Sequence, residues 1–216
     1  KENVKYLYNK KKEPISTGSC LILITPDSER TMCTFLGTAG KISDQDLKEG
    51  DVKNSDMVFL EGYLWDEGEP KKAFEKAIKN SKKTAMSLSD LFCVERHKPF
   101  FLKLVQNSLD MIFANEQEIT SLINAKSFED VITFCRQIKK NVIITRGDKG
   151  SVSINNDELV ECNAQKNLAI KDLTGAGDLF AAGYLHGTIN NETTKECLIK
   201  GTELSSTIIQ KIGARI

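Results

Sequence analysis

The chain has 216 residues, 40% of them hydrophobic, which is enough for one substantial core. Lysine plus arginine equals aspartate plus glutamate at 30 each, so no net field draws the protein onto a nucleic acid or an anionic membrane. Six scattered cysteines without a C-x-x-C pair and two isolated histidines exclude a local zinc pattern, a histidine metal site and a recognisable triad.

The polar beginning KENVKYLYNKKK has no signal-peptide core, and its Lys10–Lys12 run reads as a solvated loop or strand end. No apolar run approaches the ~18–20 residues that span a bilayer, and a cytoplasmic location is expected. Gly18 to Leu36 reads as two β segments around a Pro26–Asp27–Ser28 turn, a hairpin. Asp56 to Gly62 is a short apolar strand, Glu69 to Lys82 has helical character, and Lys83 to Leu88 is the next strand. A helical segment is expected from about Glu95 to Ser108, then a buried strand at Asp110 to Ala114, with Asn115 opening another helix. A further helix covers about Ser127 to Lys139. Asn141 to Thr145 (NVIIT) is a strand whose unbroken apolar character predicts burial on both faces. Two short β segments, SVSI and LVEC, follow Gly150, and helices are expected at about Ala176 to Thr188 and Thr193 to Lys211.

Strands alternating with helices at this spacing predict βαβ units and a mostly parallel sheet with helices on each side, an α/β fold. Ligands of open α/β sheets bind beyond the carboxyl ends of the strands, so Gly62, Asn115, Gly147 and the loop before Gly175 are expected to converge.

The densest chemistry lies in DLTGAGDLFAAG, Asp172 to Gly183, where two glycines and an acid crowd a helix start. Such a start leaves up to four N–H groups without partners and presents about half a positive charge to whatever lies in front. Gly175 and Gly177 let an oxyanion approach the backbone, and Asp178 supplies a carboxylate able to take a proton from a hydroxyl. The same residues also read as a loop end and a first-turn acid that complements the helix dipole. TRGDKG, Thr145 to Gly150, reads locally as a tight turn between strands. Asn115 with Glu118 reads as a capping box, an Asn at the N-cap and a Glu at the third helical position. The Gly175–Gly177 run is not a dinucleotide fingerprint, because Phe180 stands where G-x-G-x-x-G needs glycine, and TRGDKG lacks Walker A spacing.

Asp172, Thr174, Gly175, Ala176, Gly177 and Asp178 resemble the D-T-x-G-A-G-D signature of the ribokinase or PfkB superfamily of sugar and nucleoside kinases, with Leu173 where that family usually has Thr. TRGDKG resembles its T-x-G-x-x-G element, Asn115 and Glu118 its N-x-x-E motif, and GTELSSTIIQKIGAR its last helices. ERTMCTFLGTAG, with Arg30, and the GYLW and SLSD segments resemble its adenosine-kinase-like branch. The resemblance implies a three-layer ribokinase-like fold: residues 1–40 a partial β lid on the acceptor side, residues 41–216 the nucleotide-binding and catalytic core. It implies ATP and Mg²⁺ as cofactors and a sugar or nucleoside hydroxyl as acceptor. Asp178 would be the base, with Gly175, Ala176 and Gly177 as an anion hole. Thr145, Gly147, Gly150, Asn115, Thr174 and Ser205 would border the nucleotide, with Gly213 a further candidate near its base; Glu118 would serve the metal, and Arg30 with Asp178 the acceptor. The family's first strands and its early acceptor segment have no counterpart in this sequence, so a fragment is expected, with a lid sheet whose open edge could pair between two copies. A non-catalytic ligand-binding relative, or an inactive fragment, is the alternative.

Overall fold

The computed structural model describes residues 4–7 and 14–216. The Lys10–Lys12 run lies outside them. Strands β1 (Thr17–Ile24) and β2 (Arg30–Gly37) form a separate two-stranded sheet, the expected hairpin. Its turn is closed by Ser28 N–H donating to Thr25 O and Thr25 N–H to Glu29 O, both at 2.9 Å. Leu21, Leu23, Met32 and Phe35 on this hairpin are exposed.

The remaining elements alternate as the apolar runs predict. They are α1 (Glu49–Asn54), β3 (Val58–Glu61), α2 (Glu69–Asn80), β4 (Thr84–Ser87), α3 (Leu91–Asn107) and β5 (Met111–Asn115), then α4 (Glu116–Ile123), α5 (Phe128–Ile138) and β6 (Asn141–Thr145). Strands β7 (Ser151–Asn155) and β8 (Glu158–Cys162) and helices α6 (Ala176–Ile189) and α7 (Thr194–Ile208) complete the chain. Six strands make one mostly parallel sheet in the order β3-β4-β5-β6-β7-β8, flanked by helices. β3 runs parallel to β4, whereas β6 to β8 form an antiparallel meander. Val142, Ile143 and Ile144 of β6 are all fully buried, as an apolar run without alternation requires of a two-sided strand.

The backbone divides into two compact units. One joins the described residues up to Cys20 with Thr34–Ile112; the other joins Leu21–Cys33 with Phe113–Ile216. The first is organised around Trp65, which stacks on Phe100 at 4.1 Å and meets His97 and Phe101 edge-on. Helix α2 begins with Pro70 in its first turn, where no intrahelical N–H is needed, and buries Ala73, Phe74 and Ala77 on one face. Helix α3 starts four residues earlier than the segment expected at about Glu95 to Ser108. Asp90 caps it, accepting from Cys93 N–H at 2.7 Å, and the pattern is broken at His97, which leaves helical geometry two residues before Pro99. A cavity of about 900 Å³ in this unit is lined by Thr17, Thr38, Ile42, Asp46, Val52 and Leu64 among others, and by none of the residues expected to form the site.

In the second unit α6 lies against α7 with helix backbones almost touching. A side-chain carbon added at Gly201 would sit 2.8 Å from Phe180 O, and one at Gly183 only 2.7 Å from Lys200 O. Tyr184 of α6 is buried, stands edge-on to Phe113 and shares hydrogen bonds with Asn141 and Ser153.

Candidate active site

Helix α6 begins without a side-chain cap. Gly175 occupies the N-cap in left-handed geometry, φ +81°, a conformation that an L side chain rarely adopts. It sits against the C-terminal tail, where an added carbon would be 3.1 Å from Ala214 Cβ. Its carbonyl accepts Leu179 N–H at 2.9 Å, which starts the helical ladder. Ala176 N–H turns back to Leu173 O at 3.2 Å, whereas the Gly177 and Asp178 amides have no acceptor among the described residues. Gly177 borders open space, and Asp178 is an exposed acid in the first turn. The structure therefore keeps the donors of Gly177 and Asp178 available and occupies that of Ala176.

The residue that holds this loop is Asp172, which is 1% exposed. One carboxylate oxygen accepts from Thr174 N–H at 2.8 Å and Thr174 Oγ1 at 2.6 Å, and the other from Gly213 N–H at 2.8 Å. Burial pushes its pKa up, but the three hydrogen bonds, with the positive charge of Arg30, outweigh burial and hold the carboxyl below its ordinary range. Lys171 and Asp172 N–H both reach Ile209 O, so the segment after α7 is fastened along the loop. Thr174 is buried within this grip. Arg30 opens β2 on the exposed hairpin, whose Ser28 Oγ donates to Ile170 O at 3.0 Å just upstream of the loop. Ser205 takes part in the last turn of α7, its carbonyl accepting Ile209 N–H.

At the end of β5, Asn115 and Glu118 form the expected capping box. Asn115 Oδ1 accepts Glu118 N–H at 2.8 Å, and Glu118 accepts Asn115 N–H at 2.9 Å and Asn115 Nδ2 at 2.7 Å. Glu118 is buried, and both of its carboxylate oxygens are engaged in this box. At the end of β6, Thr145 leads into a single 3₁₀ turn. Arg146 N–H donates to Gly150 O at 2.8 Å and Gly150 N–H to Gly147 O at 3.1 Å; Gly147 and Gly150 both have positive φ. Asn115, Thr145 and Gly62 each lie at or just past the carboxyl end of a strand. Side chains join two of these loops directly, through Arg146 and Glu116. Sequence reasoning passed over Asp172 as an anchor and Arg146 altogether, since the partner of each is distant in the chain.

The architecture and the helix start define a class, the ribokinase-like α/β kinases. An adenosine kinase from Sinorhizobium meliloti superposes with a TM-score of 0.89 at 34% identity, covering 93% of this chain and 63% of that one. A probable sugar kinase from Rhizobium etli CFN 42 gives 0.89 at 33%, covering 95% and 64%. By sequence, the adenosine kinase of Dictyostelium discoideum is 27% identical over 93% of this chain and 64% of its own length, so the chain spans less than two thirds of this relative. The pfkB family of carbohydrate kinases matches residues 1–216, and the chain belongs to it. Among the described residues no helix is long and apolar enough to cross a membrane.

Proposed function

We propose that the protein to which this chain belongs transfers the γ-phosphoryl group of ATP to a hydroxyl of a sugar or nucleoside. The observation that carries this reading is the start of α6, where the exposed Asp178 carboxylate stands beside the unpartnered Gly177 and Asp178 amides. Asp178 accepts the proton of the acceptor hydroxyl as its oxygen bonds to the γ-phosphorus. The bond to the β–γ bridging oxygen breaks, and ADP leaves. The two amides and the positive end of α6 receive the charge on the transferring oxygens, with Gly175 setting the bend that aims them. The Asp172 grip keeps this turn rigid, so little reorganisation accompanies the reaction.

Thr145, Gly147, Gly150, Thr174 and Ser205 border the nucleotide in this reading, and Arg30 approaches the acceptor from the hairpin. The exposed apolar residues of that hairpin would close over the acceptor or pair with a second copy. Mg²⁺ would be served by Glu118 through water, because the carboxylate oxygens already hold Asn115 and no trio of metal-binding side chains surrounds them among the described residues. Bound there, the ion would neutralise charge on the phosphates. Adenosine kinases among the relatives, and a ribokinase of Arabidopsis thaliana at 25% identity over 97% of this chain, support a nucleoside-like or ribose-like acceptor.

The decisive experiment measures ATP consumption by the complete protein with adenosine, ribose, fructose and related alcohols. Acceptor-dependent ADP formation is expected, and its absence with every acceptor would reject the kinase reading. Asp178→Asn should lower kcat by about 10²–10⁴-fold with the fold intact, the usual contribution of a positioned general base. A variant with near-native turnover would remove Asp178 from that role.

A further inference from the structure

Two loops assigned to the nucleotide begin 30 residues apart in sequence, yet one side chain ties them together. Arg146 Nε donates to Glu116 Oε2 at 2.8 Å, with the two side chains 18% and 29% exposed, while the guanidinium lies 3.7 Å over the ring of Phe128 at the start of α5. Lys149 Nζ adds a longer contact to Glu116 Oε1 at 3.7 Å. Arg146 is the residue after Thr145, and its own amide closes the Thr145–Gly150 turn on Gly150 O. Glu116 is the residue after Asn115 and opens α4 with its capping box. A rigid, half-shielded guanidinium, hydrogen-bonded on one edge and stacked on one face, fixes both loops at once.

We propose that Arg146 is a positioning residue for nucleotide binding, clamping the Asn115–Glu118 helix start to the Thr145–Gly150 turn through Glu116 and Phe128. This rests on the kinase reading above. Neither glycine-bearing turn nor helix start is rigid by composition, since loop tips carry the least stable backbone of a fold. A clamp that orders them before the nucleotide arrives lowers the ordering cost of binding and leaves the chemical step alone. Lysine cannot replace arginine here, because a compact ammonium has no planar face to lay on the Phe128 ring while it donates to Glu116.

The test uses the complete protein and MgATP. Wild type, Arg146→Gln, Arg146→Lys, Glu116→Gln and the Glu116→Gln/Arg146→Gln double variant are compared by calorimetric ATP binding, by KM for ATP and kcat, and by melting temperature. Both glutamine variants should raise Kd and KM for ATP about ten-fold, a mid-range coupling for residues of one salt-bridge network. The lysine variant should recover little, the double variant should be no worse than either single one, and kcat at saturating ATP should stay within about two-fold. Glu116→Gln leaving KM unchanged, multiplicative effects in the double variant, or a kcat loss at unchanged KM would each overturn the clamp. Should Arg146→Gln fail to fold, Glu116→Gln and Arg146→Lys decide the matter. Failure of the wild-type protein to bind ATP rejects the underlying kinase reading; binding by wild type with no response to the variants rejects the clamp alone.

Discussion

Asp172 shows how one buried carboxylate sets the geometry of the neighbouring turn at the start of α6. Its three donors keep it charged despite burial, so its folded-state pKa lies below the unfolded value of about 4. The sign follows: the stabilisation is fully present above the unfolded pKa and is lost as pH falls through the lower folded value. Asp172→Asn keeps the shape but turns an N–H towards one of the donors, leaving a buried amide facing another donor. The loss should be about 2–3 kcal/mol of unfolding free energy, in line with hydrogen bonds to charged groups. Urea titrations of both proteins should show that gap constant from pH 5 to 8 and closing below about pH 4. A gap that persists at acid pH would mean the effect is steric.

At the scale of the elements, α6 and α7 are joined by mutual approach of their backbones at Gly183 and Gly201. Alanine in a helix is favoured over glycine by about 1 kcal/mol, yet at Gly201 the added methyl would press on Phe180 O and on its ring at 3.1 Å. Gly201→Ala should therefore destabilise by about 1–3 kcal/mol, the cost of overpacking, while Gly50→Ala in the open α1 should be neutral or slightly stabilising. Thermal melts of the two variants make the comparison, and equal behaviour would deny that the close approach matters. Most elements were legible in the chain because each carries a strong local pattern: NVIIT reads as a buried strand, and Asn115 with Glu118 reads as a helix start. The start of α3 was not, because its cap at Asp90 precedes a stretch interrupted by His97 and Pro99. The stretch between Gly37 and Val58 escaped too, its two 3₁₀ turns and the six residues of α1 being too short to show a period. The site was half legible: DLTGAGD advertises its glycines and acid, but that Ala176 N–H is taken by Leu173 O, that Asp172 holds Gly213, and that Arg146 meets Glu116 are facts of three-dimensional proximity.

For the molecule as a whole, the six thiols report on how the chain is packed. Cys20 and Cys33 are exposed on the hairpin, Cys93 is half-buried, and Cys135, Cys162 and Cys197 are buried. Burial pushes the Cys135 thiol up to about 12 and raises that of Cys197 as well. In native buffer at pH 8 a charged disulfide reagent should titrate Cys20 and Cys33 quickly and Cys93 more slowly, with the last three reacting only after denaturation. Mass spectrometry of the labelled peptides checks the order, and early modification of Cys135 would show that α5 opens locally.

The hydrogen bond from Gly213 N–H to Asp172 spans 41 residues and makes the tail beyond α7 a structural part of the loop that precedes α6. A cut or substitution that disturbs the backbone after Lys211 would thus be felt at the turn that opens α6, although no residue of that turn had been altered.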